Sequence, residues 1–232
     1  MVFLKKINRW QVWLALVTLT GLALRAALWL GYAPASYSDT GAYRRLAVAA
    51  LKGWRDYDGT RPPGYPLLMA LVGPDAAIYL VQLILGLVTT ALFFWIGWKL
   101  TGSPAFGAAA GLAHTLNLGQ LFFEANLLSE SLTTFWLALL LAFLVLALRG
   151  SPAKALRGQR LLTWLLWLGV GLCAALAGLT RSLFLFMPVW SALFLAALQT
   201  GWRARLGALL AVLLPAVALV GLWVNFMNTR YG

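Results

Sequence analysis

The chain has 232 residues, of which 62% are hydrophobic and only 10% charged, with a formal net charge of +12. Soluble domains carry roughly 25% charged residues, so this composition excludes an ordinary globule and makes lipid the natural solvent. The basic residues lie between apolar runs rather than in one stripe, which argues for positive loops against anionic lipid and against a nucleic-acid partner. Arginine outnumbers lysine, and Ala and Leu are heavily used, as in a GC-rich prokaryote. The expected location is therefore a prokaryotic cytoplasmic (inner) membrane.

A span needs about 20 apolar residues. The first runs from Trp10 to Gly31, and Lys5, Lys6 and Arg9 before it hold its start in the cytoplasm. It is too long for a cleavable h-region and reads as a signal anchor. Arg25 lies a turn or two inside this span and reads as snorkelling to headgroups. Residues 32–66 form a first outer loop with eight charges. Within it, Asp39 to Trp54 is expected to be an interfacial amphipathic helix. Tyr43, Leu46, Ala50 and Trp54 share one face, and Ser38 or Asp39 can cap the start.

Asp75 to Leu100 returns to the cytoplasm and Ser103 to Asn117 goes out again, followed by an outer turn over 118–127. Leu128 to Leu148 comes in, and Arg149, Lys154, Arg157 and Arg160 follow without an acid, a cytoplasmic signal. Leu161 to Thr180 goes out, Leu183 to Gln199 comes in, and Leu206 to Phe226 goes out. The fold class is thus all-α: one polytopic transmembrane domain over 1–232 with about seven spans, N-terminus inside and C-terminus outside. Gly and Ala pairs around 107–111 and 169–178 suit close helix packing.

On this threading all six acids, Asp39, Asp56, Asp58, Asp75, Glu124 and Glu130, fall on the outer side. The positive-inside rule counts only Lys and Arg and does not require this separation. It points to a polar site at the outer edge of the membrane. Asp39 has two readings, a helix N-cap and a general base whose pKa is raised by partial desolvation. Arg61 opens the string Arg-Pro-Pro-Gly-Tyr-Pro, where two prolines and a glycine stiffen the chain as it returns to the membrane. A guanidinium held there can either bind a phosphate through paired hydrogen bonds or snorkel. Glu130, in Ser-Glu-Ser at a span start, is an expensive residue that faces a cavity or a partner. Glu124 reads as turn solvation or as part of the site. Arg181, in Leu-Thr-Arg, either snorkels, pairs with Glu130 or binds an anion.

Other residues carry less. His114 has no second His or nearby Cys and reads as a hydrogen-bonded packing residue, so no metal site is assigned. Cys173, the single cysteine, permits no internal disulfide and reads as a small packing residue. The sequence has no phosphate loop, dinucleotide fingerprint or Cys pair.

Four motifs occur in order: Asp-x-x-x-Tyr at Asp39 and Tyr43, Arg-Pro-Pro-Gly-Tyr-Pro from Arg61 through Tyr65, Ser-Glu-Ser at Glu130, and Leu-Thr-Arg at Arg181. Together they resemble the GT-C fold membrane glycosyltransferases, the group of protein O-mannosyltransferases and lipid A aminoarabinose transferases, from Leu14 to Tyr231. The resemblance implies transfer of a sugar from a polyprenyl-phosphate carrier on the extracytoplasmic face. It implies Asp39 as candidate base, Glu130 as second acid, and Arg61 with Arg181 on the carrier phosphate. Tyr43, Tyr65 and Glu124 would line the substrate site. The lipid-linked sugar would be the donor, with a divalent metal left open, and membrane lipids and another membrane subunit are the expected partners. Relatives continue into further spans and an outer soluble domain. A fragment, a minimal enzyme and a subunit needing a partner are therefore all open. A non-catalytic membrane scaffold is the alternative from another class. A transporter is less well supported, since the sequence shows no inverted repeat and its charges sit at the outer edge.

Overall fold

The computed structural model describes residues 9–37, 39–149 and 157–231. Lys5, Lys6, Ser38 and Lys154, which entered the reading of orientation and capping, lie outside the described residues. Ten α-helices occur among the described residues: α1 (Arg9–Gly31), α2 (Thr40–Leu51), α3 (Gly64–Val72), α4 (Asp75–Thr101), α5 (Pro104–Thr115), α6 (Leu118–Ala125), α7 (Glu130–Arg149), α8 (Arg157–Thr180), α9 (Met187–Ala197) and α10 (Trp202–Tyr231). A 3₁₀ turn, Ser182–Phe184, lies between α8 and α9. One isolated bridge pairs Ala35 with Asn126, and no strand forms among the described residues.

The all-α class holds, and the count of about seven spans is not confirmed. Among the described residues, five helices are long and apolar enough to cross a membrane: α1, α4, α7, α10 and the Leu161–Thr180 part of α8. The two other expected spans are short. With 12 residues in α5 and 11 in α9, their lengths are about 18 Å and 16 Å against a hydrocarbon core of about 30 Å. Ser103 caps α5 by accepting from the Phe106 N–H and Pro104 occupies its first turn, while Leu116 ends it. The Leu183–Gln199 run is interrupted by the 3₁₀ turn before α9 starts at Met187.

The described residues form two compact units, one containing residues up to Tyr57 and Tyr65–Ala138, the other Asp58–Gly64 and residues from Leu139 onward. In the first, α1, α4 and α5 pack on one another. Glycines permit close approach: a Cβ on Gly107 would lie 2.5 Å from the Phe94 carbonyl oxygen, and one on Gly111 2.7 Å from Val17. The buried residues of α1, Val17, Gly21 and Arg25, recur every fourth residue and so form one stripe. A second cluster joins Tyr43 and Ala47 of α2, Tyr65 and Met69 of α3, Ile78 and Tyr79 of α4, and Leu127. In the other unit α8, α9 and α10 pack together around Val170, Ala174, Ala192, Ala208 and Val212. Gly171 is seated on α10, where a Cβ would lie 2.1 Å from the Val212 carbonyl oxygen.

Candidate active site

The stretch leading into α2 is held by residues 125–129. Ala35 donates to the Ala125 carbonyl at 3.3 Å and accepts from the Leu127 N–H at 3.2 Å. Thr40 Oγ1, at the start of α2, donates to the Leu127 carbonyl at 3.0 Å. The Tyr43 hydroxyl and Ser129 Oγ share a hydrogen bond of 2.9 Å. Asp39, between these anchors, stands at the N-cap position of α2 with helical backbone angles, and its side chain makes no capping hydrogen bond. The capping reading of Asp39 is thereby corrected. Thr40 Oγ1, which accepts from the Tyr37 N–H at 2.9 Å, ties the turn before the helix instead.

Glu130 is the first residue of α7 and half-buried. It directly follows Ser129, so the Tyr43–Ser129 bond ties its backbone to α2. The Tyr43 and Tyr65 rings meet edge to face at 4.9 Å. The Tyr65 hydroxyl donates to Gln82 Oε1, and Gln82 Nε2 donates to the carbonyls of Phe123 (3.2 Å), Glu124 (3.0 Å) and Asn126 (2.7 Å). Burial pushes the Tyr65 phenol well above its ordinary range, and the neighbouring Tyr43, Glu130 and Asp75 add to the shift while Arg44 opposes it. Tyr43, Tyr65 and Glu130 are thus brought together, with Asp39 one turn before Tyr43 on α2.

Glu124 does not behave as a solvated turn residue. It is fully buried, and its Oε1 accepts from Arg25 Nη2 at 2.7 Å and Gln120 Nε2 at 3.1 Å. Burial raises its pKa, and the Arg25 charge works against that rise. Arg25 does not snorkel: it is 3% exposed, and its Nη1 donates to the Gly21 carbonyl and to Thr115 Oγ1. The sequence carried a signal for this partnership, since an arginine inside a span needs an acid or carbonyls to face. Helices α3 and α6 were also missed. Asn117 caps α6 by accepting from the Gln120 N–H at 3.1 Å, and Pro66 sits in the first turn of α3, where proline is tolerated.

Arg61 and Arg181 belong to the other unit. A Cβ on Gly64 would lie 2.8 Å from both the Leu179 carbonyl oxygen and Thr180 Oγ1. The Arg-Pro-Pro-Gly turn is therefore seated on the end of α8, directly before Arg181. Arg61 and Arg181 are both half-buried, and Arg61 Nη1 donates to the Thr60 carbonyl at 2.9 Å. His114 is hydrogen-bonded through Nδ1 to Thr90 at 3.0 Å and lies against the Phe93 ring. Among the described residues no three His, Cys, Asp or Glu side chains gather to hold a metal ion.

These helices make a multi-pass membrane protein of the GT-C fold. The solved structure of the Saccharomyces cerevisiae protein O-mannosyltransferase Pmt1-Pmt2 complex bound to the sugar donor contains a chain that matches over 97% of this one, with a TM-score of 0.75 and 14% sequence identity. The match covers 34% of that chain, so this chain spans about a third of its neighbour's length. No protein-family model matches the sequence, and no curated protein matches it closely.

Proposed function

We propose that this chain is the membrane module of a glycosyltransferase that takes a sugar from a polyprenyl-phosphate carrier and transfers it on the extracytoplasmic side of a prokaryotic inner membrane. The observation that carries the reading is the GT-C fold, matched over nearly the whole chain to a mannosyltransferase solved with its sugar donor. Arg61 and Arg181 hold the carrier phosphate through charge-assisted hydrogen bonds. Asp39 accepts the proton of an acceptor hydroxyl as that oxygen attacks the anomeric carbon. The bond from that carbon to the phosphate oxygen breaks, the lipid phosphate leaves, and the sugar is inverted in one step. Glu130 is the second acid, and Tyr43 and Tyr65 shape the floor beside it. No step is routed through a metal.

A second reading, a non-catalytic membrane subunit, draws support from the neighbour's being part of a Pmt1-Pmt2 complex. Native mass spectrometry of the chain extracted gently from its own host separates the two. A bound polyprenyl phosphate or its sugar adduct, lost in Arg61→Ala, supports the transferase and weighs the donor. A stoichiometric protein partner without any such lipid supports the subunit and overturns the transferase.

A further inference from the structure

A buried ion pair takes Glu124, which the resemblance placed in the substrate lining, wholly away from solvent. Glu124 and Arg25 are 99 positions apart in the chain and meet at 2.7 Å with side chains 0% and 4% exposed. The carboxylate reaches its partner through a gap that only glycine leaves. A Cβ on Gly86 would lie 2.0 Å from Glu124 Oε1 and 2.2 Å from its carboxyl carbon. Arg25 is in turn fixed to α5 through Thr115. The arrangement ties α1, α4 and α5 to one residue of α6.

That residue begins the stretch that organises the candidate site. The carbonyls of Phe123, Glu124 and Asn126 accept from Gln82, which holds Tyr65. Ala125 and Leu127 bond Ala35, Leu127 accepts from Thr40 beside Asp39, and Ser129 bonds Tyr43 immediately before Glu130. All these polar tethers are made within residues 123–129. Glu124 supplies the charged anchor of that stretch to the α1, α4 and α5 helices.

We propose that Arg25, Glu124 and Gly86 form a positioning device that fixes residues 123–129 and, through the Thr40–Leu127 and Tyr43–Ser129 bonds, the stretch that carries Asp39. Gly86 admits the carboxylate, Arg25 clamps it, and neither charged group touches substrate. The catalytic consequence rests on the transferase reading, whereas the positioning itself does not. Small displacements of reacting groups are costly, so loosening the clamp lowers kcat while the donor KM, set by Arg61 and Arg181, stays put.

The test uses the full chain in lipid nanodiscs, in a Cys173→Ala background, with Ala35→Cys and Asn126→Cys introduced at the bridge between loop and turn. Disulfide formation under mild oxidation reads the placing of the first loop without any substrate. It is compared in three variants. Gly86→Ala pushes the carboxylate off Arg25 without altering a charge. Glu124→Gln removes the ion pair. Arg25→Met combined with Glu124→Met buries no unpaired charge and guards against simple misfolding. The expected result is a severalfold loss of cross-linking in all three, with the melting temperature of the double variant close to that of the parent. In transfer assays without the added cysteines, kcat falls by about a hundredfold at unchanged donor KM. Undiminished cross-linking in the folded double variant overturns the proposal, as does a double variant that no longer folds, since the pair would then serve overall stability. Loss of cross-linking in the three variants of a parent chain that itself transfers no sugar supports the positioning device and sinks the transferase reading instead.

Discussion

Gly64 lies with its Cα against the backbone of Leu179, so that a methyl group there would stand 2.8 Å from the Leu179 carbonyl oxygen. The contact seats the turn carrying Arg61 on the end of the helix that precedes Arg181. Because the obstructing atom is backbone, it cannot rotate away. Gly64→Ala is expected to cost about 1–3 kcal/mol by overpacking. It should also weaken binding of a polyprenyl phosphate, since the arginine-bearing turn must lift. Thermal melting and lipid binding measured on the same preparation check this, and full retention of both would show that the turn yields easily.

Asp39 stands at the start of α2 without capping it, so replacing its carboxylate sacrifices no cap. Asp39→Asn is expected to lower turnover by at least about a hundredfold, the lower range for losing a general base. Donor binding should survive. Near-normal turnover in the variant removes Asp39 from the base role.

Tyr65 is fully buried and its hydroxyl donates to Gln82. Tyr65→Phe leaves Gln82 Oε1 without that donor inside the protein, at an expected cost of about 1–3 kcal/mol. The same residue predicts a pH effect. Its folded-state pKa is raised, chiefly by burial. Above pH ~10 the unfolded chain loses the phenolic proton while the folded chain keeps it, so Tyr65 makes stability fall as pH rises through that region. Unfolding measured between neutral and strongly alkaline pH should show this added slope in the parent and its loss in Tyr65→Phe. Identical slopes would mean that the phenol titrates normally.

Arg44 and Asp75 form an ion pair between α2 and the start of α4, with side chains 41% and 43% exposed. Water screens such a pair, and breaking it by Arg44→Ala should cost less than about 1 kcal/mol, with the difference shrinking as salt is added. The buried Arg25–Glu124 pair offers the contrast, since removing one partner there strands a charge away from water. Comparing Arg44→Ala with Glu124→Gln in low and high salt tests whether burial decides the difference. A large, salt-insensitive loss in Arg44→Ala would contradict it.

What could be read from the chain alone was whatever depends on local composition and spacing. Five of the seven expected spans coincide with α1, α4, α7, α8 and α10, because a membrane-crossing helix announces itself as about 20 apolar residues in a row. The three- and four-residue rhythm of Tyr43, Leu46 and Ala50 marked α2, and the glycines at 107, 111 and 171 marked tight helix contacts. Tertiary structure decided the rest. It turned Arg25 inward onto Glu124, brought the Gly64 turn onto Leu179 and Thr180, and tied the turn before α2 through Thr40 Oγ1. It also set the lengths of α5 and α9 at 12 and 11 residues, since an apolar run shows that a segment avoids water and not where its helix starts and stops. A partner 99 positions away has no local signature: which acid meets Arg25 depends on how α1, α4, α5 and α6 pack, and on Gly86 having no side chain where the carboxylate must pass.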